Sequence, residues 1–326
     1  LLSRTVLLVS FASLAACGGG GSSGGSSSDP TTGQFSLGIT DAPVDSAAKV
    51  LVQFTGVAIK PREGSAVELG LTGDSQTCQE LLDNNGPFPT AAGEATVRCI
   101  DLLTLQGTES AALLESVTLD AGEYSWIRLD VDAAKGTLDS IIELDDGSTE
   151  SLYIPSGSQS GLKLNSSFTI LAGGSHKFII DFDLRKSVNN PQGFPDYRLK
   201  PSLRLIDMAE SGNITGTVAA SLLTAESCTS DAYAAYVYPG AGAIIGDEGS
   251  ENAPITSATV ALQGKEWRYT AGFLAPGEYE VAFTCEAAND TDAPGEDIDF
   301  IGSQDSPTTV VADQDSIVNF IPITAG

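Results

Sequence analysis

The chain has 326 residues, with 16 basic side chains against 43 acidic ones, a formal net charge of −27 and one histidine. So acidic a balance argues against nucleic-acid binding, which needs a basic footprint. No glycine-rich phosphate loop or dinucleotide fingerprint follows a strand-like run, so nucleotide chemistry has no foothold either.

The N-terminus reads as a secretory signal over residues 1–16. Arg4 is its one charge, an apolar run spans Val6 to Phe11, and small residues follow. Leu14-Ala15-Ala16-Cys17 resembles the lipobox of bacterial lipoproteins, whose cysteine takes a diacylglycerol and becomes the new N-terminus. Cys17 is therefore the expected lipidation site, and the membrane the expected partner through that anchor. Several acyl chains hold a protein on a bilayer that a single chain would leave. Residues 17–33 are rich in Gly and Ser, the composition of a flexible tether. Gly18 stands where many inner-membrane lipoproteins carry Asp, so the resemblance implies the outer membrane, with the leaflet left open.

Residues 34–209 read as one β-rich domain. Lys49 to Ile59 alternates Val50, Val52 and Phe54; Glu123 to Asp132 sets Ile127, Leu129 and Val131 against Trp126, Arg128 and Asp130. Asp145-Asp146-Gly147 between apolar runs predicts a hairpin. Asp101 to Glu115 is the one stretch with helical spacing, weakened by Gly107. His176 to Leu184 places Phe178, Ile180 and Phe182 opposite Lys177, Asp181 and Asp183. Tyr197 to Leu205 places Leu199, Leu203 and Leu205 opposite Arg198, Lys200 and Arg204.

Residues 210–326 form the second predicted domain. From Gly212 onward only Lys265 and Arg268 are basic, and this shift in charge supports a boundary near 210. Its predicted strands are Asn213 to Val218, Ala258 to Leu262, Tyr279 to Thr284 and Ile317 to Ile321. The expected fold is all-β, two sandwich-like domains in series. With Cys17 acylated, Cys78, Cys99, Cys228 and Cys285 remain, two in each domain. Three connectivities are open; the partition favours Cys78–Cys99 and Cys228–Cys285 in an oxidising compartment. A metal site has little support, because no Cys-x-x-Cys is present.

Leu119-Asp120-Ala121-Gly122-Glu123-Tyr124 is echoed by Leu274-Ala275-Pro276-Gly277-Glu278-Tyr279. A glycine turn followed by a tyrosine entering a strand resembles a motif of transthyretin-like and regulatory-domain-like sandwiches. Shared turn chemistry alone explains the echo equally well.

The first domain carries Thr40-Asp41-Ala42-Pro43, Phe54-Thr55-Gly56-Val57 and Asp101-Leu102-Leu103-Thr104-Leu105. Further on come Ala121 to Leu129, Ser160-Gly161-Leu162-Lys163-Leu164, Asp181 to Ser187 and Leu199-Lys200-Pro201. In this order they resemble the bacterial and archaeal family called domain of unknown function 4382. The resemblance implies a β-rich exported lipoprotein and names no chemistry.

Two places concentrate polar groups. Asp181 and Asp183 would face Arg198, Lys200 and Arg204 across a ladder, each opposite pair contributing a few tenths up to ~1 kcal/mol. A sharper alternative gathers Asp41, Asp181 and Asp183 around Ca²⁺, or makes the basic row a pocket for an acidic glycan. In the second domain Asp290, Asp292 and Asp297 stand in an oxygen-rich loop that could hold Ca²⁺, although its spacing departs from the helix–loop–helix calcium pattern. His176 reads as a solvated turn residue. No cofactor is otherwise expected. The composition favours a non-catalytic binding or scaffolding lipoprotein at the envelope, with a glycan or an envelope protein as partner. A carbohydrate-binding role would draw on Trp126, Trp267, Tyr124 and Tyr269 for stacking. The rival is a hydrolase working through two carboxylates that flank one pocket.

Overall fold

The computed structural model describes residues 31–42, 47–84, 94–155, 161–190, 196–200, 202–224, 228, 232–290 and 298–322. The signal segment, Cys17, most of the tether, Asp292 and Asp297 lie outside them. The chain is all-β, and its apolar side chains form two principal cores, one drawn from Phe35 to Leu199 and one from Ile214 to Phe320.

In the N-terminal half one sheet runs Leu203–Asp207, Ser175–Asp183, Thr32–Ala42, Ala111–Asp120. The facing sheet is built on Lys49–Pro61 antiparallel to Gly122–Asp132. Phe35, Leu37 and Ile39 project from the first sheet onto Val57, Ile59, Ile127 and Leu129 of the second, the two-residue period doing the sorting. The hairpin at 145–147 forms, with Gly147 at φ 82° between Ile141–Glu143 and Thr149–Tyr153.

In the C-terminal half the sheet Ala261–Gln263, Glu266–Leu274, Gly212–Val218, Asp315–Ile317 packs on a second sheet led by Ala234–Pro239 and Gly277–Thr284. Ile214, Val218, Val237, Val281, Phe283 and Phe320 fill the space between them. Disulfides join Cys78 to Cys99 and Cys228 to Cys285. Among the described residues no helix is long and apolar enough to cross a membrane.

Three expectations need correction. The helical spacing at 101–115 resolves into a short 3-10 turn, Leu102–Thr104, and the strand Ala111–Asp120, because adjacent Leu113 and Leu114 are both buried at a register irregularity. The run 197–205 is two strands, Tyr197–Leu199 and Leu203–Asp207, in different sheets. Pro201 stands between them in sequence, and proline has no N–H to offer a ladder. The run 258–262 likewise divides at buried Val260, whose N–H bonds Tyr233 O, as the chain passes from one sheet to the other. Three short helices were not foreseen, Cys78–Leu82, Leu184–Ser187 and Ala220–Leu223. The first starts at a capping box of Thr77 and Glu80.

Candidate functional site

Strand Ser175–Asp183 positions the site. Phe178, Ile180 and Phe182 point into the N-terminal core. Ile179 clusters apart from that core with Ile206, Met208 and Phe273, the last from the C-terminal half. Asp181 and Asp183 share its side of the strand and are buried too, 4% and 6% exposed, so this polar face is covered by protein.

Asp181 lies directly across the ladder from Arg204, whose Nε and Nη2 reach its Oδ2 at 3.0 and 2.5 Å. Asp183 has another role. Its Oδ1 accepts the Lys186 N–H at 3.3 Å, capping the helix Leu184–Ser187 and turning the chain toward the C-terminal half. That turn delivers two cations. Arg185 Nη1 donates to Tyr236 Oη at 2.7 Å and to Ala287 O at 3.0 Å. Lys186 Nζ lies 3.1 Å from Asp183 Oδ2 and 2.6 Å from Glu248 Oε2, and donates to Pro254 O at 2.7 Å. Behind them Tyr236 Oη donates to Asp290 Oδ2 at 2.5 Å, and the Glu248 N–H to Asp290 Oδ1 at 3.1 Å.

These groups form a joint of buried charge between the two halves. Burial pushes the Glu248 carboxyl up to about 7, with Asp183 adding to the rise and Lys186 opposing it. Burial also lifts Asp181 and Asp290, against the pull of Arg204 on the first and of the Tyr236 hydroxyl on the second. Asp41, opposite Phe182 in the parallel ladder, is raised well above the usual carboxylate range by burial and then by Asp181 and Asp183. Its two carboxylate oxygens are buried without a hydrogen-bond partner. Lys186 is held above the ordinary lysine value: burial opposes its charge, but Asp183 and Glu248 outweigh burial.

The expected basic row does not assemble. Arg198 lies in the other sheet, its Nε donating to Tyr153 Oη at 3.0 Å, and Lys200 is exposed. Only Arg204 meets the acidic pair, and only through Asp181. Among the described residues no group of three or more His, Cys, Asp or Glu is placed to hold a metal ion. The Lys186 ammonium stands between Asp183 and Glu248 where a cation would otherwise sit, and Asp290 is drawn into the joint by Tyr236 and Glu248. Arg185, Lys186, Tyr236 and Glu248 were missed as site residues. Their one sequence signal was Asp183-Leu184-Arg185-Lys186-Ser187, a cap residue followed by two cations.

The aromatic residues offer no open platform. Tyr124 and Tyr269 are buried, Trp126 lies under the Lys163 ammonium at 4.6 Å, and Trp267 packs edge-on to Tyr233. A cleft of about 740 Å³ runs between the halves beside the joint, with Phe168, His176, Arg204, Phe273 and Tyr279 in its walls. His176 is half-buried there, its Nε2 accepting the Leu171 N–H at 2.9 Å. Asp207 and Glu210 also line the cleft, on one turn and hence on one wall.

A family model described as "Domain of unknown function (DUF4382)" matches residues 32–201 and stops short of the C-terminal half. No curated protein matches the chain. Among solved structures the chain is similar to a leucine-rich repeat protein from Bacteroides thetaiotaomicron at 14% identity, over 90% of this chain and 26% of that one, with a TM-score of 0.22. It is similar to the Bacillus anthracis TIE protein at 10% identity, over 90% and 34%, with a TM-score of 0.18. It is also similar to a putative adhesin from Bacteroides ovatus at 8% identity, over 92% and 95%, with a TM-score of 0.21. The chain thus spans about a quarter and a third of the first two. Likenesses this slight carry nothing on function.

Proposed function

The chain belongs to the DUF4382 family, whose description assigns no activity, and we propose that it is a non-catalytic outer-membrane lipoprotein that binds or scaffolds at the cell envelope. One observation carries this reading. A set of buried charges, Asp183, Arg185, Lys186, Glu248 and Asp290, is tied together across the two halves, while Asp181 is paired with Arg204 within the first half. Groups held this way fix geometry, and their carboxylates are engaged by protein partners instead of a substrate. Cys17 would carry the lipid and residues 17–33 the tether, so that the jointed pair of sandwiches stands off the membrane as one arm.

A screen of the purified protein against glycans and peptides tests the non-catalytic part. No turnover is expected that depends on a single Asp or Glu; turnover abolished by one such substitution contradicts the proposal. Cys17→Ser tests the anchor. The substituted protein should leave the outer-membrane fraction or accumulate as precursor, and unchanged fractionation without acylation contradicts it. The cleft favours a second reading, glycan binding, since pockets of this size between domains are common ligand sites. Glycan binding unaffected by Leu171→Asp at its exposed rim would rule that reading out.

A further inference from the structure

The cleft between the halves runs along the edge of a strand. Arg204, Leu205, Ile206 and Asp207 line it one after another. Side chains in a strand alternate between two faces, so consecutive residues share a cleft where it meets the strand side-on. Ser166 to Thr169, leading into the facing sheet, and Phe273 and Tyr279 from the C-terminal half complete the walls.

Leu203–Asp207 is the end strand of its sheet, bonded to Ser175–Asp183 alone. Asp183 N donates to Ser202 O at 3.0 Å, which fixes the alternation of the ladder. The pairs Asp181–Arg204 and Ile179–Ile206 therefore exchange backbone bonds. The N–H and C=O of Leu205 turn the other way, toward the cleft, as does the Asp207 N–H. Among the described residues the two Leu205 groups meet no other backbone.

Free edges are ordinarily blunted by charge, proline or a bulge. The other edge of this sheet, Ala111–Asp120, has register shifts, an exposed Glu115 and Ser116 at φ 51°. Leu203–Asp207 pairs in unbroken register and contains neither proline nor lysine. Its protection is the cleft, whose walls hold off a second sheet and admit a single extended chain. At about 740 Å³ the space lies within the range of ligand sites.

Charge narrows the occupant further. Arg204 is the one Lys or Arg of the cleft among the described residues, and its guanidinium is committed to Asp181. Asp207 and Glu210, at the end of the strand, have no ion pair among the described residues. We propose that the cleft binds an extended peptide as an added strand on Leu203–Asp207, with a basic side chain of the peptide meeting Asp207 and Glu210. Main-chain bonds supply affinity in this mode, and alternate side chains would pack on Ile255, Phe273 and Tyr279. A glycan has no row of alternating N–H and C=O groups, so the edge favours a peptide. The inference rests on the reading of the chain as a binding module and not on the lipid at Cys17.

Titrating the purified full chain against labelled short peptides that alternate Lys with Val, Leu or Phe tests it by fluorescence anisotropy. At least one should bind, and methylating its backbone nitrogens should weaken it by about tenfold or more, as loss of ladder bonds requires. Asp207→Asn with Glu210→Gln should weaken it about threefold or more, while Asn keeps the oxygen that caps the Ala209 N–H. The bound peptide should slow amide exchange over residues 203–207, and Cys17→Ser should bind it as the wild type does. Failure of every peptide, binding that survives methylation, or slowed exchange only outside the cleft overturns the inference. A glycan that slows exchange at 203–207 where no peptide does overturns it too, and leaves the binding-module reading standing.

Discussion

Arg204→Ala would leave the Asp181 carboxylate buried with its one salt-bridge partner removed. The guanidinium is 31% exposed and the carboxylate side chain 5%, so the loss falls toward the lower part of the range for a broken buried pair, about 2–4 kcal/mol. Chemical denaturation of the variant measures it, and Arg204→Lys should recover only part, since a single ammonium nitrogen cannot reproduce the planar fork by which Nε and Nη2 both reach the carboxylate. Glu248 gives the joint a pH dependence of unusual sign. Its carboxyl titrates at about 7 in the folded chain against an ordinary 4.5, because burial disfavours its charge. A raised carboxyl contributes stability that is full below 4.5 and is lost as pH climbs to about 7. Melting temperature should therefore carry a component that falls between pH 5 and 7, and Glu248→Gln should flatten it. Asp41→Asn should act in the same direction, gaining on the wild type as pH rises, because burial raises the Asp41 carboxyl and no hydrogen bond holds its charged form.

The two tyrosine corners make a matched test of the strands they join. Tyr124 Oη donates to Asp120 O and Tyr279 Oη to Ala275 O, each at 2.8 Å and each four residues back. Tyr124→Phe and Tyr279→Phe should each cost about 1 kcal/mol, the net worth of one such bond, measured by urea titration. The Cys78–Cys99 bridge spans 21 positions and ties helix Cys78–Leu82 to strand Arg98–Asp101, a loop length for which chain entropy gives about 3 kcal/mol. Strands that alternate cleanly were legible from sequence: Gly122–Asp132 and Ser175–Asp183 start and end within a residue of where the pattern puts them. Periodicity failed where a strand changes sheet, at Val260 and around Pro201, since both pieces continue the same alternation across the break. The helix Leu184–Ser187 was hidden because four residues are too few for a 3.6 period to show.

At the scale of the molecule, the joint was the part least visible beforehand. Alternation correctly set Asp181 and Asp183 opposite the core, but a sequence pattern says which face is polar and nothing of what covers it. Here the cover is Tyr236, Glu248 and Asp290, contributed by residues more than fifty positions downstream. The same blindness applied to Asp290, which the sequence placed in an oxygen-rich loop and which Tyr236 and the Glu248 N–H hold in the joint. Interfaces between domains in one chain are usually small and permit relative motion, whereas one with several buried ionic contacts couples the halves. The central claim is that this charge serves to lock two sandwiches into a single arm. Differential scanning calorimetry of the wild type and of Lys186→Met, which leaves Glu248 and Asp183 without their shared cation, tests it most directly. The account predicts one cooperative transition for the wild type and two separated transitions for Lys186→Met; two independent transitions in the wild type, or an unchanged single transition in the variant, would contradict it.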